Sequence, residues 1–286
     1  MNMRLKSKRQ HLPLLLPLYI YYLLFLVVPL IALFIISFWE RTSWNLIPAF
    51  TLSNYLKIFS KPVYYSLLFR SVLMGFIIAL VCVILSYPLA YALTFRFTKR
   101  QDIVLYLILI SLFSSYLVRI YAWKTILGKF GLINQILTYL YIIKEPLEFL
   151  LYSRTAVIVT LIFIFTPFTL LPIYSSLQNV SIDFIEAAKD LGANNFNTLF
   201  RITIPLSMPG IIAGFIFTFL LSTGDYVTPQ LVGGTSGMMI GKVISDQFGI
   251  VYDWPFGSAL AYFMIFIMIF VVYTLIMILK KCKFYR

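Results

Sequence analysis

Six long apolar stretches leave this chain few folds to choose from. Segments 13–38, 66–94, 103–121, 153–177, 207–224 and 257–280 are each 18 residues or longer, and about 20 helical residues cross a bilayer core of roughly 30 Å. Charged residues make up only 12% of the 286 positions, against 61% hydrophobic ones. A water-soluble globule with so few charges could not cover its own surface, and a disordered chain would be polar and charged. The fold class that follows is an all-α polytopic membrane protein with six transmembrane helices. No repeat of 20–50 residues, low-complexity tract or second domain is evident.

Basic residues set the orientation. With both termini inside, the inner segments hold thirteen: Arg4, Lys6, Lys8, Arg9, Arg96, Lys99, Arg100, Lys189, Arg201, Lys280, Lys281, Lys283 and Arg286. The outer segments hold seven: Arg41, Lys57, Lys61, Lys124, Lys129, Lys144 and Lys242. Arg70, Arg119 and Arg154 fall near the outer ends of spans, where snorkelling and anchoring are their expected roles. Even with those three added outside, the bias places the 1–12 and 281–286 tails in the cytoplasm. The formal net charge of +13 therefore reports topology. No basic stripe interleaved with stacking aromatics points to nucleic acid, and no Asp or Glu lies mid-span to suggest a proton relay.

Several features read as bland. The first apolar run is too long for a signal-peptide core and ends in Phe38-Trp39-Glu40 without small residues for cleavage, so it is an uncleaved anchor. His11 precedes it in a solvated or interfacial position. Cys82 and Cys282, 200 residues apart, form neither a disulfide nor a metal pattern. Among the outer segments, 39–65 carries Trp39, Trp44, Tyr55 and Tyr64, as an interfacial belt would. Segment 122–152 reads as a short surface helix around Gly128, Gly131 and Asn134, and 225–256 contains a Gly233–Gly237 turn.

The inner segment 178–206 is different. Ser181 is placed to cap a helix whose first turn holds Asp183, and Gly192 stands where a left-handed residue would end it. Asn194 or Asn195 is placed to cap a second short helix, which Pro205 would stop before the fifth span. The small side chains of Ala187 and Ala188 would let a partner approach closely.

Glu186-Ala187-Ala188, then Gly192, then Ile202-Thr203-Ile204-Pro205 resembles the EAA loop of permease subunits of binding-protein-dependent ABC importers, with Ile204 where that pattern has Leu. The stretch Ser115–Trp123 with Leu127-Gly128 and Gly131–Asn134 resembles the spermidine/putrescine branch of that family. So do Gly224-Asp225-Tyr226-Val227-Thr228-Pro229, Gln247-Phe248-Gly249 and Asp253-Trp254-Pro255-Phe256-Gly257. Related branches move opines, phosphonates and ferric iron. Charge does not choose among these substrates, because neither side of the chain looks designed to concentrate cations.

The resemblance implies a type I, MetI-like permease domain over 66–280, in a bacterial inner membrane. It implies a second permease subunit, two cytoplasmic ATPase subunits and an extracytoplasmic polyamine-binding protein as partners. Glu186, Ala187, Ala188, Asp190, Gly192 and Pro205 would form the ATPase-coupling site. No cofactor is expected in this chain: Gly241-Lys242-Val243 lacks the phosphate-loop pattern, so ATP and magnesium would be held by the partner. A stand-alone secondary transporter, the alternative, would be expected to show inverted repeats and mid-membrane ionisable residues. For the substrate pathway, Asp225, Tyr226 and Asp253, with Trp123 and Trp254 beside them, combine carboxylates with aromatic faces, the chemistry that holds an ammonium. Asp225 is equally placed to cap a loop.

Overall fold

The computed structural model describes residues 12–42, 45–97 and 101–281. The basic residues of the N-terminal tail, His11, Trp44, Lys99, Arg100, Cys282, Lys283 and Arg286 lie outside the described residues. The chain opens with α1 (Leu12–Tyr22), a π-helical turn (Leu23–Val27) and α2 (Val28–Ile36), which continue one another. The pairing of β1 (Glu40–Arg41) with β2 (Leu46–Ile47) is a two-residue antiparallel ladder, a small departure from an all-helical expectation. Next come α3 (Ser53–Ser60), α4 (Pro62–Phe95), α5 (Gln101–Phe113), α6 (Tyr116–Leu127), α7 (Leu132–Tyr139) and α8 (Arg154–Gln178). The inner segment forms α9 (Ile182–Asp190), α10 (Asn195–Thr198) and a π turn (Leu199–Thr203) that enters α11 (Ile204–Thr223). A π turn (Pro229–Gly233), α12 (Ile240–Gly249) and α13 (Trp254–Lys281) complete it.

Among the described residues, five of these helical stretches are individually long and apolar enough to cross a membrane, and there are six if one bent pair counts as a single span. That pair corrects the expectation of one straight span over 103–121: α5 ends at Phe113, and the chain turns through 94° before continuing from Tyr116. Hydropathy counts apolar residues and is blind to helix continuity. Ser114 and Ser115 sit at the break, and serine hydroxyls compete for the backbone groups that a helix needs.

The chain divides into two compact units, one comprising 1–62 with 244–265 and the other 63–243 with 266–286. In the first unit, the side chains of Leu16–Ala32 are exposed, so this apolar helix relies on a surrounding apolar medium. Its outer end is tied down locally: buried Asn54 donates to the carbonyls of Ser37 (3.0 Å) and Trp39 (2.8 Å), and the Tyr55 hydroxyl bonds Ser37 Oγ (2.8 Å). Tyr55, expected as an interfacial ring, is therefore a tether.

The second unit holds the packed core. Met74, Ile78 and Cys82 of α4 meet Ile120 of α6 and Val157, Leu161 and Ile164 of α8. Further along the same helices, Ala90 and Leu93 pack on Leu170, Ile173 and Leu177. Helices α8 and α11 press together through small residues. A Cβ on Gly210 would lie 2.4 Å from the Pro172 carbonyl oxygen, and one on Gly214 would lie 2.8 Å from that of Thr169. The Thr169 and Thr218 hydroxyls bond across the seam at 2.6 Å. Without water between apolar helices, such close backbone approach and interhelical hydroxyls are what hold spans together.

All three span-end arginines also donate to backbone carbonyls of the chain. Arg154 Nε donates to the Ser236 carbonyl at 2.9 Å and Arg70 Nη1 to the same oxygen at 3.4 Å, while Arg119 Nη1 reaches the Ile164 carbonyl at 3.4 Å.

Candidate functional site

The inner segment folds as a capped helix, a turn and a second helix. Ser181 Oγ accepts from the Asp183 N–H (3.2 Å), starting α9. Gly192 adopts φ +85°, and the N–H groups of Gly192 and Ala193 return to the carbonyls of Lys189 and Ala188. This is the left-handed close that a Cβ disfavours. Asn194 Oδ1 accepts from the Asn197 N–H (2.8 Å), starting α10. Both ends of α9, a helix of nine residues, are thus capped.

The faces of α9 differ from the sequence expectation in one respect. Glu186, Ala187, Lys189 and Asp190 are exposed, but Ala188 is buried at 6% and turned into its own chain with Ile185. Ala187 is therefore the small residue that a partner can approach. Leu191 (89% exposed) and Phe196 (66%) flank it as apolar surface. Behind α9 lies a cavity of about 730 Å³ between Tyr87, Tyr91 and Phe95 of α4, Arg96 just beyond it, and Ile185, Glu186 and Phe196 of the inner segment.

Pro205 does not stop the second helix. The helical path runs unbroken from Asn195 to Thr223, because the π turn changes register just before the proline, with Ile204 N–H bonded to the Leu199 carbonyl. Proline's missing donor falls at the N-terminal positions of α11, where it costs little.

The five pathway candidates divide between the two compact units: Trp123, Asp225 and Tyr226 in one, Asp253 and Trp254 in the other. Asp225 is buried at 8%, and its two carboxylate oxygens accept from the N–H groups of Val227 and Thr228, each at 3.2 Å. The Tyr116 hydroxyl bonds Thr228 Oγ1 at 3.0 Å beside it. Burial pushes the Asp225 carboxyl above its ordinary range, and bonds from Thr228, Tyr116 and the two backbone N–H groups oppose that shift. Tyr226, next in the chain, is 46% exposed. Trp123 packs against Phe163 (5.5 Å between ring centres) and borders an apolar cavity of about 470 Å³ with Leu107 and Pro167.

Asp253 and Trp254 belong to the other compact unit. Asp253 caps α13 by accepting from the Phe256 N–H (3.2 Å) and pairs with Lys57 at 3.4 Å. Trp254 is 42% exposed and meets Phe248 edge-on at 5.7 Å. Sequence reasoning missed Lys57 and Tyr116; 196 residues separate Lys57 from Asp253, and no local pattern joins them.

Capping is thus the observed work of Asp225. Asp225→Asn keeps one acceptor and loses the charge, so we expect uptake and ATP turnover to fall together, by roughly three- to tenfold for about 1 kcal/mol of lost cap. Parallel transport and ATPase assays check this. Loss of uptake with intact ATP turnover would instead give the carboxylate a direct role with substrate.

Long apolar helices, with a separately capped helix–turn–helix on one connection, define a multi-span membrane protein. Residues 13–281 match the binding-protein-dependent transport system inner membrane component, and the chain belongs to that family. It is similar to the spermidine/putrescine transport system permease protein PotB of Escherichia coli (strain K12), with 37% identity over 237 residues, covering 82% of this chain and 86% of that one. The protein of the same description from Haemophilus influenzae is 34% identical over 238 residues, covering 83% and 82%. A chain in the crystal structure of a bacterial alginate ABC transporter, in complex with an alginate pentasaccharide-bound periplasmic protein, superimposes with a TM-score of 0.76. The match covers 95% of this chain and 94% of that one at 16% identity, and so shows a shared fold.

Proposed function

We propose that this chain is one of two permease subunits of an ATP-driven importer of spermidine and putrescine. The substrate rests on the 37% identity to a spermidine/putrescine permease over 82% of the chain. The mechanism rests on α9. Its exposed Glu186, Ala187, Lys189 and Asp190 form a small, capped knob with Gly192 as the turn behind it. Such a knob suits insertion into a groove on a cytoplasmic ATPase, which would bind ATP and magnesium and drive the cycle. An extracytoplasmic binding protein would deliver the polyamine. Tyr226 and Trp254 are the exposed aromatic faces we assign to the substrate path, whereas Asp225 positions a turn beside it.

Proteoliposomes containing the assembled importer and loaded binding protein test the substrate directly. Radiolabelled putrescine and spermidine should accumulate with ATP. ATP-dependent accumulation of an opine, a phosphonate or ferric iron in their place would overturn the substrate. The ATPase should co-purify in stoichiometric amount; uptake by this chain alone would replace the reading with a secondary transporter.

Orientation gives a further expected result. Both termini and α9 face the cytoplasm in this reading, and 225–256 faces out. A cysteine at Gly249, where an added Cβ meets nothing within 4 Å, should react with an impermeant maleimide in intact cells. Gly234 is unsuitable, because it has φ +57° and its Cβ would lie 2.8 Å from Tyr152. A cysteine at Asn195 should react only after permeabilisation. Labelling of Asn195→Cys from outside would invert the topology.

A further inference from the structure

The Lys57 ammonium lies 3.4 Å from Asp253 Oδ2 and 4.1 Å from the centre of the Phe256 ring. A carboxylate and an aromatic face around one nitrogen make up a site for an alkylammonium ion. The two walls are held without help from Lys57. Asp253 Oδ1 accepts from the Phe256 N–H (3.2 Å), the Asp253 N–H donates to the Gln247 carbonyl (2.9 Å), and the Gly257 N–H donates to the Asp253 carbonyl (2.9 Å). Phe256 is wholly buried and the Asp253 side chain is 13% exposed, whereas the Lys57 side chain is 37% exposed on a flexible stem. At 3.4 Å the ion pair is also longer than the roughly 2.7–2.9 Å of a close charge-assisted bond.

We infer that Asp253 and Phe256 form an alkylammonium site which Lys57 fills from within the chain, and that one end of a polyamine exchanges with the Lys57 ammonium during transport. The inference rests on the polyamine reading above. A lysine on its own stem competes at an effective concentration on the order of millimolar, which keeps the site weak for a passing ligand. A polyamine differs from a monovalent cation in carrying a second ammonium that stays engaged elsewhere while the first exchanges. The lysine then returns as the ligand leaves, so the site is never left as a bare carboxylate that would trap its cargo.

The assembled importer in nanodiscs, without binding protein, provides the test. Lys57→Gln opens the site, and equilibrium binding of radiolabelled spermidine should strengthen roughly tenfold over wild type. Adding Asp253→Asn, which retains an acceptor for the Phe256 N–H, should return binding to the wild-type level. A second measurement uses the unchanged protein: trace acetylation of Lys57, read by mass spectrometry, should rise about threefold in spermidine over sodium chloride of equal ionic strength, as the displaced ammonium becomes accessible. Lys57→Gln binding no tighter than wild type, while ATP turnover stimulated by the loaded binding protein persists, would overturn the proposal and leave Lys57 as a clip on α13. If Lys57→Gln fails to assemble, the acetylation decides, and no change in spermidine overturns the proposal. Absence of polyamine uptake by wild-type proteoliposomes would remove the substrate reading instead, with acetylation still deciding the ammonium site.

Discussion

Ala187→Trp should abolish transport while leaving the protein in the membrane at its normal level. The indole projects from the exposed face of α9, so it meets no residue of its own chain that must yield. It would instead fill the space that the proposed ATPase groove needs. Steric loss of a central contact of this kind costs about 3 kcal/mol, or roughly a hundredfold in docking. Immunoblotting for abundance, co-purification of the ATPase and uptake measure the three consequences separately. Ala188→Trp serves as the contrast: that side chain is 6% exposed, and a tryptophan there should lower abundance as well. Gly192 supplies a further comparison, because its φ of +85° tolerates Asn but strains Val even though an added Cβ meets nothing within 4 Å. Wild-type uptake by Ala187→Trp would remove α9 from the coupling mechanism.

The second large effect should come from the seam between α8 and α11. Gly210→Val would place its Cβ 2.4 Å from both the Pro172 carbonyl oxygen and Ser176 Cβ, and the backbone atoms there have no rotamer to escape into. The helices must separate, which disturbs the Thr169–Thr218 hydrogen bond and the neighbouring Gly214 contact. Overpacking typically costs about 1–3 kcal/mol, and a rigid backbone clash in a dry seam lies at or above the upper end. The expected readout is loss of the membrane-integrated protein, or a thermal transition in detergent lowered by several degrees, with uptake falling in proportion. Gly249→Val, with open space around it, is the matched control and should be silent. A normal thermal transition for Gly210→Val would mean the two helices are not so closely seated.

What the sequence made legible was whatever local chemistry decides. Apolar length exposed the long helices, and Ser181, Gly192 and Asn194 marked the capped helix and its turn, because capping needs only residues two or three apart. Three other features escaped. The bend between α5 and α6 was hidden inside an apolar run, since Ser114 and Ser115 barely lower its hydropathy. Pro205 looked like a stop because the register change that accommodates it is a backbone event without a residue signature. The inward turn of Ala188 depends on how α9 is seated, and two adjacent alanines cannot announce which of them faces in. The outer residues illustrate the same limit. A carboxylate beside aromatics is a sound description of an ammonium site, but Asp225 and Asp253 each also stand ahead of a helical turn whose free N–H groups they satisfy. Composition alone could not rank those two uses.

The uninterrupted path from Asn195 to Thr223 has a mechanical meaning. Twenty-nine residues at helical rise make a strut of about 43 Å, with no slack coil between its Asn195 tip and its apolar stretch. A push on that tip cannot be absorbed by a loop, so it must travel as a tilt or a rotation of the whole strut. A glycine stands at each end of the strut, Gly192 in the hydrogen-bonded turn before it and Gly224 as its C-cap. The π turn at Leu199–Thr203 adds one residue to a turn near the Asn195 end, which underwinds the helix locally without breaking it. A stroke delivered at α9 would therefore emerge beside Asp225 with its timing intact and its direction set by whatever flanks the strut: the α8 seam would act as its bearing.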